Sequence, residues 1–235
     1  MVIKKDITKE YLKSSIQFGH SIIESNKKLI PYLLNKNKEL CTFDLVKASN
    51  FLKLAGNILQ KKAEKGHKFL FVGTDKFTSD LLVEEANKTK SYYINFRWLG
   101  GMMTNWETLQ LQINSLNILE KVSTKLMYNT LHKKKINLIK KKIKKLNNFF
   151  GGVRKMKTFP QCVIFINTGS HISAIKECLK LGITTIALID SNCNYDLIPY
   201  PILANTHSTL SIKFLINYLG RKILTGYTNR KIIKN

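Results

Sequence analysis

Short apolar runs alternate with longer stretches of helical periodicity along the first half of the chain. LCTF (40–43) predicts a strand, and Asp44 is placed to cap a helix over 45–65, whose residues Leu45, Phe51, Leu52, Ala55 and Leu59 form one stripe. KFLFVGT (68–74) predicts a buried strand, followed by a helix over 76–89 and the strand YYIN (92–95). The same grammar returns after residue 158. CVIFINT (162–168) predicts a strand, then a helix over 170–181 that Gly182 is placed to end. TTIALID (184–190) is a further strand, IPYPIL contributes a short last one, and a helix follows over 206–224. Apolar strands alternating with helices predict a parallel sheet with helices on both faces.

The middle of the chain has a different period. Trp106, Leu109, Ile113 and Leu116 are spaced 3, 4, 3, and Ile136, Ile139, Ile143, Leu146 and Phe150 are spaced 3, 4, 3, 4. Both patterns are coiled-coil seams, separated by a polar turn around 121–130. They predict an antiparallel helical hairpin over 105–150, with arms roughly 25–30 Å long at ~1.5 Å per residue. The hairpin would interrupt a single discontinuous α/β domain formed by 1–104 and 151–235.

NFRWLGGMMTNW (95–106) joins the two parts. It is too irregular for a strand, too glycine-rich for a helix interior and too apolar for an ordinary loop. Thr104 and Glu107 form a T-x-x-E capping box that would start the first arm at Asn105. Gly100 and Gly101 supply freedom in φ for the turn. Trp98 and Trp106 are expected to wedge the base of the hairpin against the core and leave Arg97 facing outwards.

Charge changes what such an arm is for. The formal net charge is +24, and only Arg97, Arg154, Arg221 and Arg230 among 39 basic residues are arginine. From Lys121 to Lys176 there is no Asp or Glu, and residues 121–158 hold 13 basic residues. Without carboxylates for i,i+4 pairs, the lysines of HKKKINLIKKKIKKLNN repel one another along the helix unless they meet an external anion. An unbalanced basic block inside a foldable chain points to nucleic acid. Lysine, a mobile point charge, suits phosphate neutralisation better than the reading of base edges. The candidate RNA contacts are Lys27, Lys28, Arg97, Lys133, Lys134, Lys140, Lys141, Lys144, Arg154, Lys155 and Lys157.

Other classes fare worse. No apolar run approaches the length of a membrane span, and MVIKKDITKE has no apolar stretch behind its lysines, so neither a transmembrane segment nor a secretory signal is expected. Cys41, Cys162, Cys178 and Cys193 lie far apart, and His20, His67, His132, His171 and His207 show no metal-ligand spacing. FVGTDK follows a strand and opens a helix, where a phosphate is favoured, but it lacks both glycine-rich nucleotide motifs. Asp190 and Asp196 flank a loop at a strand's C-terminal end without an adjacent group to complete a catalytic site, so they read as loop caps. No cofactor and no metal is expected. The alternative is a Rossmann-like nucleotide-dependent enzyme carrying a basic nucleic-acid-binding arm.

FGH (18–20) with Pro31 and Tyr32, FVGT (71–74), RWLGGMMTNW (97–106), AIKECLKLGI (174–183) and the IALIDSNC…D run (186–196) together resemble the bacterial-type small-subunit ribosomal protein two family. The similarity covers about residues 11–224 and is weakest through the hairpin. AIKECLKLGI and Cys193 in the Asp-Ser-Asn loop look like plastid-encoded members, with mitochondrial or bacterial ribosomes as the alternative setting. The resemblance implies a flavodoxin-like or Rossmann-like α/β domain with an inserted coiled-coil hairpin and no enzymatic activity. It also implies small-subunit rRNA and neighbouring ribosomal proteins as partners, with the mRNA-binding first small-subunit protein as a candidate among them. Three positions depart from the family pattern. SSIQ precedes Phe18, Phe96 stands where a histidine is usual, and Thr206 and His207 replace an acidic pair, which removes carboxylates from any metal-supported contact there.

Overall fold

A computed structural model describes residues 10–36, 39–126 and 133–234. Five strands form the central sheet: β3 (Phe69–Val72), β4 (Tyr92–Ile94), β5 (Cys162–Phe165), β6 (Thr184–Ile189) and β7 (Tyr200–Leu203), in the order β4-β3-β5-β6-β7. Every pairing is parallel, with Leu70 opposite Val163 and Ile186 opposite Tyr200 among the registers. Numbered among themselves, the sheet strands run 2-1-3-4-5, the flavodoxin order. Consecutive side chains of a strand point to opposite faces, yet all four residues of β3 and all four of β5 are buried, so both faces are covered. A smaller antiparallel pair, β1 (Leu33–Lys36) with β2 (Cys41–Phe43), precedes the sheet.

The helices follow the predicted order. Helix α1 (Leu45–Glu64) starts at Asp44, whose carboxylate accepts from the N–H groups of Val46 and Lys47, satisfying two orphan donors of the first turn. It packs against α6 (Thr209–Lys234), which also packs on α2 (Lys76–Lys88). The α1–α6 approach is close because small residues face the partner helix. A Cβ on Gly226 would stand 2.4 Å from the Gln60 carbonyl oxygen. This contact explains one difference from expectation: α6 runs on to Lys234 instead of ending near Leu224, since Gly226 is a packing residue inside the helix. The helix also starts at Thr209, and Thr206 serves elsewhere.

Helix α5 (Ile172–Lys180) ends as predicted. Gly182 has φ +66, its N–H donates to the Leu179 carbonyl, and the Ile183 N–H donates to Cys178. Those two bonds are a Schellman turn. Helices α3 (Trp106–Leu126) and α4 (Lys133–Phe150) pack against each other and enter the chain between β4 and β5, where the fold crosses from the sheet edge back to its middle. Among the described residues, no helix is long and apolar enough to cross a membrane.

Candidate nucleic-acid interface

The arm hides one stripe and exposes the other. Leu109, Ile113, Leu116 and Phe150 are buried, while Trp106, Ile136, Ile139, Ile143 and Leu146 are half-buried. These are the seam positions. Lys140, Lys141 and Lys144, which lie off the seam, are exposed. The side chains of Lys133 and Lys134 lie outside the described residues, as does His132. Not every apolar residue of the arm is covered: Leu111, Ile118 and Leu138 are all more than half exposed, which the seam pattern does not foresee.

The joint is built around a carboxylate that sequence reasoning missed. Glu177, on α5, accepts the N–H of Gly101 at 2.8 Å on Oε1 and that of Met103 at 3.3 Å on Oε2. The Trp98 indole N–H donates to the same Oε1 at 3.4 Å. Trp98 is buried against Phe165 of β5, and Trp106 packs on Phe159 with ring centroids 4.9 Å apart. Both tryptophans therefore hold the arm's base to the body, and Arg97 is exposed as expected. Within the glycine pair only Gly101 needs its freedom, with φ +84. Gly100 has no positive φ and stands in open space. The first arm begins at Trp106, one residue later than the capping-box frame. Asn105 holds the turn instead, its carbonyl accepting from the Leu109 N–H and its Oδ1 from the Thr108 hydroxyl. Thr104 and Glu107 are exposed beside it.

Two of the candidate cations are committed within the chain. Arg154 donates through Nε to Asn117 at 2.6 Å and through Nη2 to Glu120 at 2.5 Å, bracing α3. Lys28 is paired with Asp196. Lys27, Arg97, Lys155 and Lys157 are exposed together with the arm lysines. Glu120 and Glu177 are the carboxylates that bound the acid-free stretch of sequence, and both are spent on holding the arm.

Where an α/β enzyme would bind its substrate, this chain's own side chains bond to one another. The strand order reverses between β3 and β5, the usual place for a ligand crevice. There Asn167 donates to the Asp75 carboxylate at 3.1 Å, Thr74 meets His171 Nε2 at 3.3 Å, and His171 Nδ1 lies 2.6 Å from the Asn167 carbonyl. His171 is buried, and burial lowers its pKa. Asp75 stands at the N-cap of α2, and Gly73 lies in the turn from β3 into that helix.

The loop after β6 is a second closed cluster. Asp190 is 1% exposed and accepts from the Ser191 N–H at 2.7 Å, the Thr206 N–H at 2.8 Å, the Thr206 hydroxyl at 3.1 Å and His20 Nδ1 at 3.0 Å. It ties the FGH segment to the last two strands. His207 stands edge-on to His20, and with Asp190 the two histidines offer ligand atoms within 4.8 Å of one another, the set that could hold a metal ion among the described residues. The carboxylate's hydrogen bonds are already structural. Asp196, bound to Lys28, is structural too.

Residues 11–226 match the family described as Ribosomal protein S2. The chain is 39% identical over 227 residues to the small ribosomal subunit protein uS2c of Trieres chinensis, covering 96% of this chain and 99% of that one. It is 37% identical over 225 residues to uS2c of Galdieria sulphuraria, covering 96% and 95%. Against the small ribosomal subunit protein uS2 of Trichormus variabilis the identity is 33% over 217 residues, covering 92% and 82%.

Proposed function

The chain belongs to the ribosomal protein S2 family, and from that premise we propose how it works in the ribosome. It is a structural constituent of the small ribosomal subunit of a plastid, taking its setting from the uS2c relatives. It is not an enzyme. Thr74, Asp75, Asn167 and His171 are bonded to one another at the strand-order reversal, which argues against the nucleotide-dependent alternative.

Residues 1–104 and 151–235 act as one α/β body and 105–150 as an inserted arm. The body positions the arm, and the arm meets small-subunit rRNA through its lysine face. The observation that carries this reading is the exposure of Lys140, Lys141 and Lys144 opposite a half-buried seam, in a stretch without any carboxylate to neutralise them. Arg97, Lys155, Lys157 and Lys27 extend the contact over the body, whereas Arg154 and Lys28 act within the chain. The apolar residues left open on the arm, Leu111, Ile118 and Leu138, suit a neighbouring ribosomal protein, with the mRNA-binding first small-subunit protein as the candidate.

Co-sedimentation of the purified chain with small subunits in Mg²⁺ tests the reading. Stoichiometric association, competed by free small-subunit rRNA and indifferent to nucleotides, is expected. Saturable nucleotide binding without association would return the enzyme alternative.

A further inference from the structure

The arm is not the only basic surface. At the other end of the sheet, before β3 and β4 begin, two hollows of about 440 and 520 Å³ lie side by side. The first is lined by Lys68, Lys88, Lys90, Arg230 and Lys231, and the second is bounded by Lys90 and Lys155. Lys90 is common to both, and neither lining contains a carboxylate. Lys88 is already engaged by Glu84 at 2.7 Å and Glu85 at 3.7 Å. Among the described residues, no carboxylate pairs with Lys68, Lys90, Arg230 or Lys231.

Two turns with positive φ border the groove. Gly66, at φ +80, carries no side chain, and the Arg230 guanidinium lies over it, with Nη1 1.6 Å from where a Cβ would stand. Lys90 has φ +52, in a region that L-residues avoid. It closes α2 in the same turn that Gly182 makes after α5: the Lys90 N–H donates to Asn87 and the Ser91 N–H to Ala86. At one of two equivalent turns the chain uses glycine, and at the other it tolerates a strained lysine that lines both hollows. Strain retained at a surface position points to a function.

We propose that this groove is a second RNA site, which binds the phosphodiester backbone through Lys68, Lys90, Arg230 and Lys231. Aromatic residues favour RNA over an acidic protein segment. Tyr227 stands in the wall of the first hollow, and Tyr92 and Tyr93 stand in the second, interleaving rings with cations as RNA-binding surfaces do. The proposal rests on the rRNA-binding reading above and adds Lys68, Lys90, Arg230 and Lys231 to the contact that Lys155 begins.

The test measures binding of the full chain to protein-free small-subunit rRNA across a salt series, with poly-glutamate as a competitor. Lys90→Gly should raise the melting temperature by relieving the strain, yet weaken binding on the order of five- to tenfold at ~0.1 M salt, the contribution of one phosphate contact. A variant with Lys68→Gln, Lys90→Gly, Arg230→Gln and Lys231→Gln should lower the salt slope by about 3–4. A merely structural Lys90 would leave binding unmoved in the stabilised glycine variant and would overturn the proposal. If the four-site variant binds like wild type while Lys140→Gln, Lys141→Gln and Lys144→Gln together impair binding, the groove falls and the arm reading stands. If the wild-type chain fails to bind rRNA at all, both fall. Displacement by poly-glutamate as effective as by rRNA would assign the groove to an acidic protein segment and overturn the RNA site.

Discussion

The body and the arm handle charge in opposite ways. In the body, carboxylates are placed against N–H groups: Asp44 caps α1, Asp190 gathers the loop after β6, and Glu177 holds the turn at the joint. Each replaces lost hydration with hydrogen bonds, so a buried acid becomes part of the structure. In α4 there is no acid at all, and Lys140, Lys141, Lys142, Lys144 and Lys145 stand exposed beside a half-buried seam. Where a carboxylate answers the charge no partner is needed, whereas a lysine face like the arm's, or the carboxylate-free groove around Lys90, is relieved of self-repulsion only by an external polyanion. Glu177 ties down the base of the arm at the joint, and Glu120, on α3 itself, braces the arm through Arg154.

The comparison breaks first at the most buried acid. Asp190→Ala leaves the N–H groups of Ser191 and Thr206 without their acceptor in a closed site, and a loss of about 3–5 kcal/mol in unfolding free energy is expected. Denaturant unfolding measures it, and a loss below 1 kcal/mol would mean that the cluster is not structural. Glu177→Ala should cost about 2–3 kcal/mol, because it strands the N–H groups of Gly101 and Met103. Its signature is local. Amide exchange should rise at 98–103 while β3 and β5 stay protected, and uniform loosening of the sheet would contradict a role confined to the joint. The glycine pair gives a smaller contrast. Gly101→Ala forces a side chain to φ +84 and should cost about 1–2 kcal/mol, whereas Gly100→Ala, in open space, should change stability by less than about 0.5 kcal/mol. Equal costs at the two positions would place the turn elsewhere.

These differences also mark what the sequence could reveal. The buried strands and the α1 cap were legible because their cause is local: four apolar residues in a row, or an aspartate before a helical stripe. The helical character of α3 and α4 was legible for the same reason, since Ile136, Ile139, Ile143 and Leu146 recur at a helical spacing. Strand β1 was missed because Leu34 points to solvent and the run ends in Asn35 and Lys36, so it carries no apolar alternation. The extension of α6 was missed because Gly226 owes its place to α1, far away in sequence. Glu177 was missed because an acid on a helix acquires its meaning from the turn it faces, 74 to 79 residues earlier. The partners of Arg154 and Lys28, Glu120 and Asp196, were illegible for the same reason. A sequence shows that a residue is charged, while the fold decides whether an internal partner takes the charge.

The central claim is that the arm's lysine face meets rRNA, and a salt-wash series on reconstituted small subunits tests it most directly. Lys140→Gln, Lys141→Gln and Lys144→Gln together remove three charges, keep side-chain length and helix propensity nearly constant, and leave the seam untouched. Helix content should hold or rise slightly as like charges are removed. The variant should leave the subunit at lower salt than the wild-type chain, with the slope of log affinity against log salt reduced by about 2–3. Release of both chains at the same salt concentration, with the arm still folded, would contradict the account.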